Sequence, residues 1–130
     1  MEARRDLGKR TKELALRIIR LCGSLPKSPA AAIIGRQLMR SGTSVGANYR
    51  EATRARSKAE HAAKMSIGLM ELEETAYWLE LLEEGGVCNS PEVAPLHGEV
   101  GELSAIFVSM LKKVRQGIPN SARHPLGFKS

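Results

Sequence analysis

Apolar residues recur every three or four positions in four successive segments of the chain, a pattern that predicts four amphipathic helices. The first predicted helix covers residues 1–23 and ends at Gly23. Its core face contains Leu7, Leu14, Ile18 and Leu21. A turn with two prolines follows. We expect the second helix to begin near Ser28, with Pro29 in its first position, and to end near Arg56.

The third and fourth helices are predicted from the same spacing. The third should begin after Ser57, which can form a capping box with Glu60, and should end at Gly85. Its predicted core face contains Ala63, Ile67, Met70, Tyr77 and Leu81. The fourth should begin at or soon after Ser90 and end at Gly117, with a seam like that of a coiled coil. The residues of that seam are Val93, Leu96, Val100, Leu103, Phe107, Met110 and Val114.

Four amphipathic helices with short connections and no strand pattern predict an all-α fold. We expect an antiparallel up-down-up-down four-helix bundle over residues 1–117. Residues 118–130 are polar and basic, and we expect them to form a disordered tail. A chain of 130 residues provides one domain with one modest core.

Small residues are concentrated in the second predicted helix, between residues 40 and 57. Glycine inside a helix costs roughly 1 kcal/mol relative to alanine, so Gly42 and Gly46 are expected to let a neighbouring helix come close. One face of this helix carries Ile34, Leu38, Ser41, Val45, Tyr49 and Ala52. We therefore assign Ser41, Gly42, Val45 and Gly46 to helix packing or to a subunit interface.

The opposite face of the second helix carries a stripe of four arginines, Arg36, Arg40, Arg50 and Arg54. Planar guanidinium groups bind phosphate through two hydrogen bonds, so this stripe is the candidate nucleic-acid site, assisted by Arg10, Arg17 and the basic tail. Aromatic residues do not alternate with the arginines, which favours non-specific binding. Two alternatives stay open. The arginines could pair with Glu73, Glu80 and Glu84, also across a subunit interface, or they could simply be solvated.

Charge is unevenly distributed along the chain, whose net charge is +6. Residues 1–58 hold 14 Lys or Arg against 4 Asp or Glu, whereas residues 59–111 hold 1 against 10 and residues 112–130 hold 5 against none. This asymmetry indicates a polyanionic partner or self-association between the basic and the acidic parts. Solvated helix faces without further meaning are the alternative.

Several polar and aromatic residues interrupt the predicted apolar faces. We expect Asn48, Tyr49 and Glu74 to form a buried polar network that fixes helix register or subunit contacts. Tyr77 and Trp78 are expected to be packing anchors, inside the bundle or between subunits. The histidines have no ligand spacing and no Glu-x-x-His motif is present, so we expect no metal, no cofactor and no catalysis.

The cysteines and the apolar runs of the sequence indicate the cellular compartment. The two cysteines, Cys22 and Cys88, have neither metal-binding nor redox spacing. No signal-peptide pattern and no apolar run of membrane-spanning length is present. We therefore expect a cytoplasmic protein without a membrane partner.

Residues 40–49 (RSGTSVGANY), with Glu51, Ser57, Glu60 and Lys64 downstream and then residues 77–79 (YWL), resemble a bacterial family. That family is the four-helix-bundle proteins encoded in intervening sequences of large-subunit ribosomal RNA genes. The chain is also similar to the accessory variability proteins of diversity-generating retroelements. His61 stands where the family pattern usually has an aromatic residue.

The resemblance implies an antiparallel four-helix bundle that assembles into a ring-like homopentamer without enzymatic activity. The retroelement proteins are basic pentamers associated with nucleic acid and a reverse transcriptase. We therefore predict a homo-oligomer that binds RNA or DNA non-specifically through a basic surface. The alternative is an oligomeric module that binds another protein and has no nucleic-acid role.

Overall fold

The computed structural model of the protein describes residues 6–117, which form four α-helices and no strand. The helices are α1 (Leu7–Gly23), α2 (Pro29–Thr53), α3 (Lys58–Glu84) and α4 (Val93–Gln116). The all-α four-helix fold is therefore confirmed. The predicted tail at 118–130 and the first five residues of the predicted first helix lie outside the described residues.

Contacts between neighbouring helices show that each pair is antiparallel, because the residue number rises along one helix as it falls along its partner. Among the adjacent helices, α2 and α3 share the most extensive contact and α1 and α4 the least extensive. The contacting pairs are Cys22–Gly35 and Gly8–Tyr49 between α1 and α2, and Ser41–Thr75 and Glu51–Lys64 between α2 and α3. Between α3 and α4 they are Glu80–His97 and Ser66–Arg115, and between α1 and the first half of α4 they are Arg10–Glu99 and Arg17–Glu92.

The starts of α2 and α3 follow from serine caps. Ser28 accepts a hydrogen bond from the Ala31 backbone N–H at 3.1 Å, and Ser57 accepts one from Glu60 N–H at 3.0 Å. The reciprocal half of the expected capping box differs. The Glu60 carboxylate accepts from the backbone N–H of Arg56, one residue before the cap, at 2.9 Å.

The core faces of α1 and α4 are largely as predicted. The four predicted residues of α1 are all buried. The α4 seam is buried from Val93 to Phe107. Leu111 then continues the core, while Met110 and Val114 are only partly buried. The α4 seam therefore stays in the core for most of its length.

The predicted core face of α3 is wrong. Met70 and Tyr77 are 60% and 53% exposed, and Glu74 is only partly buried. The residues that face the core are Ala62, Met65, Gly68, Leu72, Thr75, Leu79 and Leu82. Both sets follow spacings of three and four, and from Met65 onward they are offset by two positions, or about 200° around the helix. α3 therefore has two such seams on opposite sides, and only one of them enters the bundle.

Close helix contacts depend on three glycines. A Cβ built on Gly42 would overlap Ile18 Cδ1 of α1, and one on Gly46 would lie 3.3 Å from Thr11 Oγ1. On α3, a Cβ on Gly68 would lie 2.8 Å from Cε2 of Phe107. Gly42 and Gly46 thus lie where α1 crosses α2 closely, which offsets their low helix propensity.

Candidate nucleic-acid interface

The four arginines of the predicted stripe, three in α2 and Arg54 directly after it, are all exposed, but they do not have the same surroundings. Arg40 crosses to α3, where its guanidinium donates to Glu71 at 3.2 Å and to Glu74. The hydrogen bond from Arg40 holds the pKa of Glu74 below its usual value, and Glu74 in turn raises the pKa of Arg40. Two carboxylates therefore neutralise Arg40 within its own chain. They are not those expected from the sequence.

Arg10 and Arg17 are likewise paired, in both cases with carboxylates of α4. Arg10 donates to both oxygens of Glu99, at 3.0 and 2.8 Å, and to Glu102 at 2.7 Å. These bonds raise the pKa of Arg10, whose side chain is only 20% exposed. Arg17 lies 3.8 Å from Glu92. Both arginines join α1 to α4, the pair of adjacent helices with the fewest direct contacts.

Arg36, Arg50 and Arg54 have no carboxylate within salt-bridge distance among residues 6–117. Arg36 is separated from Arg50 by 14 residues, or about 21 Å along the helix axis, so the three do not form one continuous site. Arg50 and Arg54 lie one turn apart at the C-terminal end of α2. The predicted stripe thus divides into a paired arginine, a distant one and a pair at one end of the bundle.

Further cations extend this pair into a larger basic surface. α4 ends beside the start of α3, since the Lys58 side chain lies against Gly117 and Arg115 donates to Ser66 Oγ at 3.0 Å. The resulting surface, called the basic end, has seven exposed cationic side chains. They are Arg50, Arg54, Arg56, Lys58, Lys112, Lys113 and Arg115.

Few carboxylates oppose the basic end. Glu51 is occupied by Lys64, at 2.7 Å, and Glu60 accepts from a backbone N–H. The cations in the last turns of α2 and α4 also interact favourably with the negative ends of the helix dipoles. This interaction helps to explain why cations occur at these helix ends.

The sequence interpretation missed five members of the basic end, namely Arg56, Lys58, Lys112, Lys113 and Arg115. The signal that could have found them is the predicted up-down order. That order brings the C-terminal ends of the second and fourth helices to the same end of the bundle.

Asn48, Tyr49 and Glu74 do not form the expected polar network. Asn48 donates to the Ser44 carbonyl of its own helix at 2.9 Å. The Tyr49 ring lies 6.2 Å from that of Phe107, and burial raises the pKa of its hydroxyl. Glu74 is remote from both because it lies on the side of α3 that faces away from the bundle core.

The polar contact buried between α2 and α3 is instead made by Ser41 and Thr75. Their hydroxyl oxygens are 2.9 Å apart, and Thr75 Oγ1 is also 2.7 Å from the Glu71 carbonyl. Both residues are fully buried. Ser41 was expected at a packing position, but Thr75 was not recognised as its partner.

Tyr77 and Trp78 are adjacent on the outer side of α3, with ring centroids 5.2 Å apart. Trp78 is partly buried, and its Nε1–H donates to Glu74 at 3.0 Å, whereas half of Tyr77 is exposed. Tyr77 is thus not an anchor inside the bundle. It belongs to a surface that we call the outer seam. Its residues are Ala63, Ile67, Met70, Glu74, Tyr77 and Leu81.

Within residues 6–117 no group of three or more His, Cys, Asp or Glu side chains is placed to hold a metal ion. In the same part of the chain, no helix combines the length and the apolar character needed to cross a membrane.

The fold and its surfaces define a small antiparallel helical bundle with charged outer faces. The family model of the 23S rRNA-intervening sequence protein matches residues 5–109, and the chain belongs to this family. A crystal structure from Bacteroides thetaiotaomicron, described as a protein with unknown function from the S23 ribosomal protein family, is similar to it. The two are 34% identical with a TM-score of 0.74, over 81% of this chain and 94% of that one. Among curated proteins no match is found.

Proposed function

We propose that the protein is a non-enzymatic homo-oligomer that binds the nucleic-acid backbone non-specifically through the basic end. The observation that carries the proposal is the contrast between two groups of arginines. Arg10, Arg17 and Arg40 have carboxylate partners, whereas Arg50 and Arg54 have none among the described residues and stand beside further exposed cations.

The chemistry of the basic end suits phosphate better than bases. Guanidinium and ammonium groups bind phosphate oxygens without reading sequence. The surface is formed by Arg and Lys side chains, whereas the exposed aromatic residue Tyr77 belongs to the outer seam, so base stacking is not expected there. If four of the seven cations contact phosphates, the logarithm of affinity should fall with the logarithm of salt concentration with a slope of about −4.

Assembly would multiply this surface. The resemblance to pentameric proteins supports five copies, and several linked basic ends would bind one polyanion far more tightly than a single copy. The proposal places the protein in the cytoplasm, where Cys22 and Cys88 remain thiols.

A second candidate is an oligomeric protein-interaction module without a nucleic-acid role. The half-exposed outer seam of α3 favours it, because apolar surface of this kind is typical of protein contacts.

A charge-matched pair of variants tests the nucleic-acid role. Arg54→Gln/Arg56→Gln removes two charges from the basic end, and Arg20→Gln/Lys27→Gln removes two charges from the opposite end of the bundle. Binding to a labelled 20-mer duplex and to a single strand is measured by fluorescence anisotropy over a series of KCl concentrations. The mass of each variant is checked by light scattering.

We expect the Arg54/Arg56 variant to bind about tenfold more weakly than wild type, with a salt slope smaller by about two, and the control to differ little. Equal weakening by the two variants would show that net charge, not the basic end, is responsible. No binding by the wild type at low salt would favour the protein-interaction module.

A further inference from the structure

Within residues 6–117, the outer seam of α3 is a second coiled-coil-like stripe whose apolar members are not part of the bundle core. Its residues alternate spacings of four and three over 19 positions, the period by which helices pack side by side. Met70 and Tyr77 are the two most exposed members, at 60% and 53%. A helix of a monomeric bundle needs only one such stripe, so the second one indicates a surface that is covered in an assembly.

Acidic side chains border the outer seam. Glu73 is exposed and lies three residues after Met70 and four before Tyr77, so it stands between them on the helix surface. Glu84 follows towards the end of α3 on the same side and is also exposed. Two outer seams facing each other would oppose these carboxylates, which is unfavourable. The surface that covers the seam should therefore be basic.

A groove between α1 and α2 has the required shape and charge. It encloses about 640 Å³ beside the α1–α2 turn. Small and apolar side chains form its walls, chiefly Cys22, Leu25, Ala32, Gly35, Met39 and Thr43. Gly35 lets Leu25 pack closely at the floor, since a Cβ there would lie 3.0 Å from Leu25 Cδ1. Arg36 is on its rim, exposed and without a carboxylate partner among the described residues.

We infer that the outer seam of one copy docks into the α1–α2 groove of a second copy, with Glu73 facing Arg36. This inference rests on the proposed homo-oligomer and identifies its interface. The bulky side chains of Met70 and Tyr77 enter a largely apolar groove, and the carboxylate of Glu73 meets the guanidinium of Arg36 at its edge. Each copy carries both surfaces, so the contact is head-to-tail and generates a ring where the rotation closes.

Charge reversal at the two facing residues tests the interface. The variants are Glu73→Arg, Arg36→Glu and the double variant that exchanges the charges. The control is Glu83→Arg, which makes the same change on the same helix outside the outer seam. Sedimentation velocity over a range of protein concentrations gives the mass and the concentration at which the assembly dissociates. Circular dichroism verifies that each variant remains helical.

We expect each single reversal to raise the dissociation concentration by about tenfold or more, because like charges then face each other. The double variant should recover most of the loss, and Glu83→Arg should behave as wild type. If the wild type is oligomeric and neither charge reversal changes its mass or its dissociation concentration, that result would overturn the interface. So would a double variant no better than the singles.

Those two results would leave the proposed function intact, since nucleic-acid binding is measured separately with variants of Arg54 and Arg56. A monomeric wild type at every concentration would instead overturn both the interface and the proposed homo-oligomer.

Discussion

Replacing Gly42 by alanine tests whether a close helix contact, and not helix propensity, decides which residue this position accepts. Alanine is favoured over glycine by about 1 kcal/mol inside a helix. The new methyl group, however, would overlap Cδ1 of Ile18 and lie 3.3 Å from its Cγ2. Ile18 is fully buried, so it has little room to move, and overpacking of this kind costs about 1–3 kcal/mol.

Gly101 provides the matched control. It lies in α4, is exposed, and has nothing within 4 Å of the position that a Cβ would take. Gly101→Ala should therefore raise the free energy of unfolding by about 1 kcal/mol. Gly42→Ala should leave it unchanged or lower it by up to about 2 kcal/mol. The difference between the two substitutions isolates the clash with α1.

Ile18→Val provides the rescue. Alone it should cost about 0.5–1.5 kcal/mol, because removing Cδ1 leaves a small cavity. Combined with Gly42→Ala, the alanine methyl occupies the space that Cδ1 leaves, so the double variant should be more stable than the sum of the singles predicts. A coupling of about 1 kcal/mol is expected between residues in such contact.

Urea denaturation followed by circular dichroism measures these free energies. All variants are compared at one protein concentration, because self-association makes apparent stability depend on concentration. The predicted clash with Ile18 is refuted if Gly42→Ala stabilises the protein as much as Gly101→Ala does. Strict additivity of Gly42→Ala and Ile18→Val would refute it equally.

Three further predictions concern the polar contacts. Thr75→Val should cost about 1–2 kcal/mol in urea denaturation by leaving the buried Ser41 hydroxyl with a poorer partner, whereas adding Ser41→Ala should restore part of the loss. Arg40 lowers the pKa of Glu74, so this pair should stabilise the fold above the ordinary glutamate pKa and lose that effect as pH falls through the lowered value. Glu74→Gln should remove that part of the pH dependence. The free energy of unfolding should change by less than about 1 kcal/mol, because both side chains are substantially exposed. Arg10→Gln should lower the melting temperature by leaving two adjacent carboxylates unpaired, yet weaken oligonucleotide binding less than Arg54→Gln. Melting curves and anisotropy titrations separate those two effects.

The candidate site was only partly predictable, because spacing along one helix does not show what stands on the next. All four arginines of the predicted stripe are exposed, as the helical wheel predicts. Which of them is free depends on α3, where Glu71 and Glu74 happen to reach Arg40 and no carboxylate reaches Arg54. Arg56 and Lys58 of the basic end follow α2 directly, but its other three cations come from α4, more than fifty residues further along the chain.

The sequence by itself determined the number of helices, their approximate ends and the all-α fold, because these depend on local spacing, caps and breakers. It could not choose between the two seams of α3. Both have the same period and similar apolar content, and a helix considered alone can turn either side inward. Packing made the choice. Gly68 lets Phe107 come close, and Thr75 lets Ser41 come close. The bulkier Met70 and Tyr77 of the other seam do not allow such close contact. The tertiary structure therefore decided which seam became core and which remained available on the surface.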